Sequence, residues 1–242
     1  MNNTRFASLL LGLLLLTTDL FAEGITIASG GGYKRPVQEI ASLYQKTTGE
    51  RVAAVFGNMS RIISQANMSG TVSLLIGDRT FFDRSGLEFS NYRPLGRGRL
   101  VLAYRKGLDL KAIDDIAGKK ITRIGVPDSS KAIYGAAAAA YLHNSGLMKT
   151  IENKLLKLTT VPQVSSYLVS GEIDAGFINL TDAKGVETLI GGWFAADSTR
   201  YPPISIEAGI LKGHENNRDV ARFTAFLETP QARAILKKYG LR

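Results

Sequence analysis

The sequence predicts an α/β protein of two lobes, each built on a mostly parallel sheet flanked by helices. Strand-like and helix-like segments alternate from Ile25 onward, which is the pattern of parallel sheets because a crossover helix returns the chain to each new strand. Two long apolar runs, near 99–105 and 204–211, are candidate hinge strands between the lobes. With 45% apolar and 21% charged residues, the 242-residue chain can bury a core, and this excludes fibrous and disordered proteins.

The first 22 residues have the plan of a secretory signal peptide. Arg5 precedes an almost unbroken apolar run from Phe6 to Leu16, and the small residue Ala22 stands before the expected cut. A membrane anchor is the alternative, but a spanning helix needs about 20 apolar residues and this run is roughly half as long. We therefore expect an exported protein, cleaved after Ala22.

The first part of the mature chain alternates between strands and helices. A short apolar strand at 25–28 and a glycine turn lead into a helix that ends at Gly49. The apolar positions of that helix recur on one face, as in an amphipathic helix: Val37, Ile40, Ala41 and Tyr44. A strand at 51–56, a turn, a helix at 62–68 and a strand at 72–76 follow.

The second part repeats this alternation. The predicted segments are a buried strand at 99–104, a short helix at 113–117, a strand at 121–126, an alanine-rich helix around 136–142, a helix from Pro162 to Val169, a strand at 175–178, a strand at 204–211, and helices at 217–227 and 230–240. Alanine's high helix propensity favours the helix around 136–142, and proline suits the first turn of the helix that starts at Pro162. Glu207 interrupts the last apolar run, so it either faces solvent or pairs with a nearby Arg or Lys.

Three strand-to-helix junctions could bind a small anion. They lie at 29–33, 58–61 and 129–132 and carry glycine and hydroxyl-bearing residues. A helix start presents unpaired N–H donors and partial positive charge, so several aimed at one point form an anion site without any catalytic group. The alternative is that they are ordinary turns and caps. Four basic residues at or just after these junctions would either attract an anion or remain solvated: Lys34, Arg35, Arg61 and Lys131.

Several classes of function are disfavoured by composition. The chain has no cysteine and only two histidines, so disulfide frameworks, thiolate zinc sites and histidine-rich metal sites are not expected. The glycines at 30–32 lack the third glycine of a dinucleotide fingerprint. The net charge of +9 is scattered, which argues against nucleic acid binding. Because no acid and base pair is evident, we expect neither an enzyme nor a cofactor.

Three stretches of the chain match a known pattern. They are 25–29 with 38–41 and 48–49; 161–163 followed by Ser-Gly-Glu-Ile-Asp-Ala-Gly-Phe-Ile at 170–178; and Pro-Gln-Ala at 230–232 with Lys-Lys-Tyr-Gly at 237–240. In these stretches the chain resembles the periplasmic solute-binding proteins of ABC transporters, and within them the molybdate-binding proteins.

The resemblance implies a domain organisation and a function. Lobe one would comprise 23–100 plus 206–242 and lobe two 101–205, each with one antiparallel strand in its sheet, and the ligand would lie between them. The implied protein is a monomeric periplasmic receptor that delivers a molybdate-like or tungstate-like oxyanion to an ABC permease in the inner membrane. Alternatives are a receptor for a small carboxylate or phosphate-bearing solute, and a ligand sensor for a membrane receptor.

The resemblance also implies the ligand contacts. The family uses two loop serines, main-chain N–H groups and a tyrosine hydroxyl, at positions that fall here on Gly32, Met59, Ala132, Val161 and Asn179. Gly32 and Met59 carry no hydroxyl but keep their N–H groups, and Asn179 offers an amide in place of a phenol. With neighbouring polar and basic residues, the predicted ligand-binding set is Ser29, Gly31, Gly32, Tyr33, Asn58, Met59, Ser60, Arg61, Lys131, Ala132, Val161 and Asn179.

Overall fold

Ten strands form two five-stranded sheets within residues 24–241, the part of the chain that the structure, a computed structural model, describes. The predicted signal peptide lies outside this part. In chain order the strands are β1 (Ile25–Gly30), β2 (Val52–Gly57), β3 (Val72–Asp78), β4 (Phe89–Gly98), β5 (Leu100–Tyr104), β6 (Ile124–Pro127), β7 (Leu155–Leu158), β8 (Ala175–Asn179), β9 (Gly192–Ala195) and β10 (Ile204–Leu211).

The two sheets have matching topologies. The first has the order β2-β1-β3-β10-β4 and the second has the order β7-β6-β8-β5-β9. In each sheet one strand runs against the other four: β10 pairs antiparallel with β3 and β4, and β5 pairs antiparallel with β8 and β9. The remaining neighbours, such as β1 with β2 and β6 with β7, are parallel. This arrangement confirms the predicted α/β fold and the single opposed strand of each sheet.

The helices begin and end where their sequences favour it. They are α1 (Lys34–Thr48), α2 (Met59–Ser69), α3 (Arg79–Asp83), α4 (Ile133–Asn144), α5 (Met148–Ile151), α6 (Val161–Ser170), α7 (Leu180–Gly185), α8 (Arg218–Leu227) and α9 (Pro230–Lys238). The side chains of Thr160 and Thr229 cap α6 and α9, each of which has proline in its first turn. Gly49 ends α1 in the left-handed conformation at φ 79°. The predicted apolar face of α1 is buried.

The Ser-Gly-Glu-Ile-Asp-Ala-Gly-Phe stretch packs α6 onto the second sheet. A Cβ on Gly176 would stand 2.4 Å from Cγ1 of Val164 in α6, so only glycine permits this close approach. Asp174 is buried and accepts hydrogen bonds from the backbone of Thr122 and Arg123 at 2.8 and 3.1 Å. The motif therefore has a structural role at the base of β8.

Three strands, β4, β7 and β9, are absent from the sequence predictions. All three are edge strands, and β4 carries Pro94 opposite Glu207 at a break in the register of the β4–β10 pair. An edge strand tolerates proline because one side of it forms no ladder. The predicted strand at 121–126 is shorter than expected and begins at Ile124.

The two sheets are joined by two short connections, between Gly98 and Leu100 and between Ala195 and Ile204. Near the second, the buried carboxylate of Asp78 accepts the backbone N–H of Ser205 at 2.9 Å. Glu207 pairs with Arg79 at 3.5 Å, the second of the two predicted alternatives.

Within residues 24–241, no helix has the length and apolar character needed to cross a membrane.

Candidate ligand-binding site

A cavity of about 20 Å³ lies between the two sheets, beyond the carboxyl ends of their strands. Its wall consists of four short segments, at 30–33, 57–59, 132–134 and 160–161. Each segment leads into a helix: α1 through a 3₁₀ turn, α2, α4 and α6. Four helix starts, two from each half of the molecule, therefore converge on one small space. A larger surface depression of about 290 Å³ beside β4 and α8 lacks this convergence.

The structure places seven of the twelve predicted residues in the cavity wall: Gly31, Gly32, Tyr33, Asn58, Met59, Ala132 and Val161. Ser29 is fully buried beneath the wall and Asn179 is fully buried behind Gly32, whereas Ser60, Arg61 and Lys131 are exposed. Whether any of the twelve contacts a ligand stays a prediction.

Sequence reasoning missed five further wall residues: Gly30, Gly57, Ile133, Tyr134 and Thr160. All of them except Tyr134 immediately adjoin residues of the predicted set. Gly30 lies inside the first junction, and an extension of the other two junctions by one residue would have found Gly57 and Ile133. Tyr134 lies in the first turn of α4, two residues beyond the end of the third junction.

The prediction that the junction amides are open is wrong for three residues. The carbonyl of Lys131 accepts the N–H groups of Met59 and Ser60, at 2.9 and 3.4 Å, across the gap between the two halves. The N–H of Ala132 donates to the carbonyl of Asp128 at 2.9 Å. The protein's own carbonyls thus occupy donors that the sequence pattern left unassigned, because the loop at 129–132 approaches the start of α2 closely.

Asn179 and Gly32 form a matched pair across the two halves. The Nδ2 group of Asn179 donates to the carbonyl of Gly32 at 2.9 Å. A Cβ on Gly32 would stand 2.7 Å from Oδ1 of Asn179, so a serine at position 32 does not fit beside this asparagine. The two departures from the family pattern are therefore coupled. The Oδ1 atom of Asn179 is buried and has no hydrogen-bond partner within the described chain.

Two tyrosines connect the cavity to the hinge. The hydroxyls of Tyr33 and Tyr134 lie 2.5 Å apart, and both rings are buried. Burial is the main cause that raises the pKa of each phenol, so both stay protonated at neutral pH. A Cβ on Gly98 would stand 2.3 Å from the Tyr134 hydroxyl, which places this pair directly against the end of β4.

Of the four basic residues, Arg35 has a partner in the other half. Its Nη1 group contacts Oδ1 of Asp182, whose side chain is 2% exposed. Burial raises the pKa of Asp182, and the hydrogen bond from Ser165 and the pairing with Arg35 oppose this shift. The Lys34 ammonium lies 6.0 Å from the ring centre of Phe56.

Among residues 24–241, no group of three or more His, Cys, Asp or Glu side chains could hold a metal ion.

Comparisons with known proteins agree with this architecture. The chain is 25% identical over 229 residues to the molybdate-binding protein ModA of Rhodobacter capsulatus, covering 90% of this chain and 88% of that protein. The periplasmic molybdate-binding protein of Azotobacter vinelandii superimposes with a TM-score of 0.82 at 22% identity, over 90% of this chain and 98% of the other. The L-phospholactate-bound PEB3 from Campylobacter jejuni superimposes with a TM-score of 0.71 at 21% identity, over 90% and 99%.

The family assignment follows from a match along almost the whole described chain. A family model described as bacterial extracellular solute-binding protein matches residues 25–242. The match confirms the resemblance and indicates a binding function rather than an enzymatic one. With its two mixed sheets and its interlobe cavity, the chain belongs to the bacterial extracellular solute-binding proteins and has their type II periplasmic binding fold.

Proposed function

We propose that this protein is the periplasmic substrate-binding protein of an ABC transporter. It would capture a small anion between its two lobes and deliver it to a permease in the inner membrane. The observation that carries the proposal is the convergence of four helix starts on one interlobe cavity. Helix starts favour negative charge through their N–H groups and the helix dipole, and they need no catalytic group to do so.

The named relatives support a compact anion as the solute. One is a molybdate-binding protein at 25% identity, and PEB3, a structural neighbour, is bound to L-phospholactate. Both solutes are small and negatively charged. Molybdate and tungstate are therefore candidates, and so are phosphate-bearing or carboxylate solutes. We propose that the contacts come from the predicted residues of the cavity wall, with the basic residues Lys34, Arg61 and Lys131 raising the potential around them.

Capture requires the two lobes to move apart. A cavity of about 20 Å³ has room for roughly one water molecule. Because the Lys131 carbonyl holds the first amides of α2, an anion gains those donors only by displacing it. The hinge at Gly98 to Leu100 and the segment before Ile204 are the places where the chain passes between the sheets, so opening would occur there.

Calorimetry and thermal shift against molybdate, tungstate, sulfate, phosphate, citrate and L-phospholactate test the proposal. We expect at least one anion to bind and to raise the melting temperature, since binding to the folded state alone is stabilising. A Gly31→Leu variant is expected to lose this response, because its side chain would meet Pro162 and obstruct closure. Asn67→Leu, on the exposed part of α2, is the matched control and should keep it.

Loss of the response in Gly31→Leu alone supports binding in the cavity. If no anion binds at millimolar concentration, the proposed function is wrong. If Gly31→Leu binds as tightly as the unchanged protein, the solute is held elsewhere.

A further inference from the structure

A second cavity, of about 620 Å³, lies where the two sheets are joined. Its wall comes from the two connections between the sheets and the strand ends beside them, at 97–100 and 195–204. We call it the hinge cavity. Cavities that bind small organic molecules in proteins have volumes of about 300–1,000 Å³, so the hinge cavity has room for such a molecule.

The hinge cavity is separate from the interlobe cavity. Within residues 24–241 the two walls share no residue. Gly98 lines the hinge cavity, and a Cβ on it would stand 2.3 Å from the hydroxyl of Tyr134 and 3.1 Å from that of Tyr33. Both tyrosines line the interlobe cavity instead. A molecule in the hinge cavity would therefore contact other side chains than a solute between the lobes.

Most of the hinge cavity wall is apolar. Three of its residues, Leu100, Tyr201 and Ile204, belong to the core and are at most 6% exposed. The Tyr201 hydroxyl accepts the N–H of Leu100 at 3.2 Å, which holds the ring against the start of β5. Smaller apolar residues complete this part of the wall: Ala195, Ala196 and Pro203. A ligand with a hydrocarbon part would bury it on this surface.

Two arginines line the same cavity. Arg97 and Arg99 are both exposed, and they flank Gly98. Nη1 of Arg97 donates to Oγ of Ser205 at 2.7 Å, a neutral acceptor. Neither guanidinium forms an ion pair with a carboxylate of residues 24–241. Their charges therefore favour an anion, and a guanidinium matches the two oxygens of a carboxylate.

The acidic residue of the second connection does not neutralise these arginines. Asp197 accepts the N–H of Thr199 at 3.0 Å and pairs with Arg200 at 3.5 Å, so its hydrogen bonds stay within its own turn. It is also absent from the wall of the hinge cavity. The wall thus combines an apolar surface with two cations that have no acidic partner.

We propose that the hinge cavity is a second binding site, for a small organic carboxylate with an apolar body. The carboxylate would bind at Arg97 and Arg99, and the hydrocarbon part would cover the apolar wall. A bare oxyanion lacks the apolar part, and a neutral hydrocarbon lacks a group for the arginines. This inference goes beyond the proposed function and does not rest on it, because the two cavities share no wall residue.

Calorimetry with three probes tests the chemical class of the ligand. Octanoate has both the charge and the hydrocarbon chain, octanamide has the chain without the charge, and acetate has the charge without the chain. We expect octanoate to bind with a dissociation constant below about 1 mM, and at least about tenfold more tightly than either of the other two.

Two variants locate the site. Arg99→Gln removes one cation, and Ala195→Phe fills part of the cavity; both residues are exposed, so the fold should tolerate the changes. Each is expected to weaken octanoate binding at least about tenfold. The matched controls are Arg218→Gln on α8 and Ala53→Phe on the edge strand β2, which are exposed and lie outside the wall. They should keep the affinity within about twofold.

The outcomes separate this inference from the proposed function. If octanoate does not bind at 10 mM, or if octanamide or acetate binds as tightly, the inference is wrong. Unchanged octanoate affinity in Arg99→Gln or Ala195→Phe would also overturn it, since the carboxylate would then be held elsewhere, the interlobe cavity included. None of these results bears on the binding of small oxyanions between the lobes, which the earlier titrations measure.

Discussion

Asp174 is a buried carboxylate whose environment supplies a full set of donors. Its oxygens accept from the N–H and Oγ1 of Thr122 at 2.8 and 2.9 Å, the N–H of Arg123 at 3.1 Å and the Nε of Arg105 at 3.0 Å. Burial by itself would raise the pKa of this carboxyl, but the donors outweigh burial and lower it to about 2. The aspartate of the family motif therefore joins β8 to the segments before β6 and after β5.

Replacing Asp174 by asparagine should destabilise the protein by about 2–4 kcal/mol at neutral pH, because an amide group would face buried donors. Since the pKa is depressed in the folded state, the contribution of the charge is fully present above the ordinary pKa of about 4. It is lost as the pH falls from there toward about 2. Urea unfolding at a series of pH values measures the difference between the two proteins, which should shrink over this acidic range.

The matched control is Asp109→Asn. Asp109 pairs with Lys111 on the surface, where both side chains are 78% exposed, so its loss should change stability by less than about 0.5 kcal/mol. Equal effects of the two substitutions, or an Asp174 effect independent of pH, would contradict the structural role assigned to Asp174.

At the scale of elements, α6 lies unusually close to the second sheet. Gly176 in β8 faces Val164 of α6, and Gly125 in the neighbouring strand β6 faces the same side chain, 3.1 Å from where its Cβ would stand. Valine is stiff at χ1 and cannot move aside easily. Two glycines paired on adjacent strands thus form a shallow groove for one branched residue of the helix.

A Gly176→Ala substitution should therefore destabilise the protein by about 1–3 kcal/mol through overpacking. Adding Val164→Ala should restore part of this loss by removing the opposing methyl groups, and chemical denaturation of the four members of the cycle measures the coupling. Strict additivity of the two changes would mean that the helix does not press on this strand.

The elements also explain how far the sequence could be read. α1 and α6 were predictable because apolar residues recur on one face and recognisable residues mark their ends. β4 was not, because its exposed, polar residues and Pro94 lack the apolar run of a buried strand. The junctions of the cavity were predictable as helix starts. The carbonyl of Lys131 against α2 and the fit of Asn179 to Gly32 were not, since both depend on segments distant in sequence that only the fold brings together.

At the scale of the whole molecule, direct contacts hold the two lobes together around the cavity. Asn179 bonds to Gly32, Tyr33 to Tyr134, and Arg35 pairs with Asp182. The Arg35 side chain is 38% exposed whereas that of Asp182 is 2% exposed. Removal of the arginine would leave a buried carboxylate without its cation, which is costly.

An Arg35→Met variant should therefore favour separated lobes. Small-angle X-ray scattering without added solute is expected to give a larger radius of gyration than that of the unchanged protein. The double variant Arg35→Met, Asp182→Leu should reverse the increase, because it removes the unpaired charge as well. Arg222→Met is the control, since Arg222 pairs with Glu50 and Asp219 within lobe one and should leave the dimensions unchanged. An unaltered radius in Arg35→Met would mean that this ion pair does not govern lobe closure.

The backbone oxygen of Lys131 also affects how the solute binds and is released. In the structure this oxygen accepts the first N–H groups of α2. A bound anion would replace it as the acceptor, so binding exchanges one hydrogen bond for another and adds none. The measured affinity then reports only how much better a charged guest suits those amides than a tethered neutral oxygen does. When the anion dissociates, the Lys131 carbonyl can again accept these N–H groups. The amides then do not stay without an acceptor, which lowers the free-energy cost of releasing the anion.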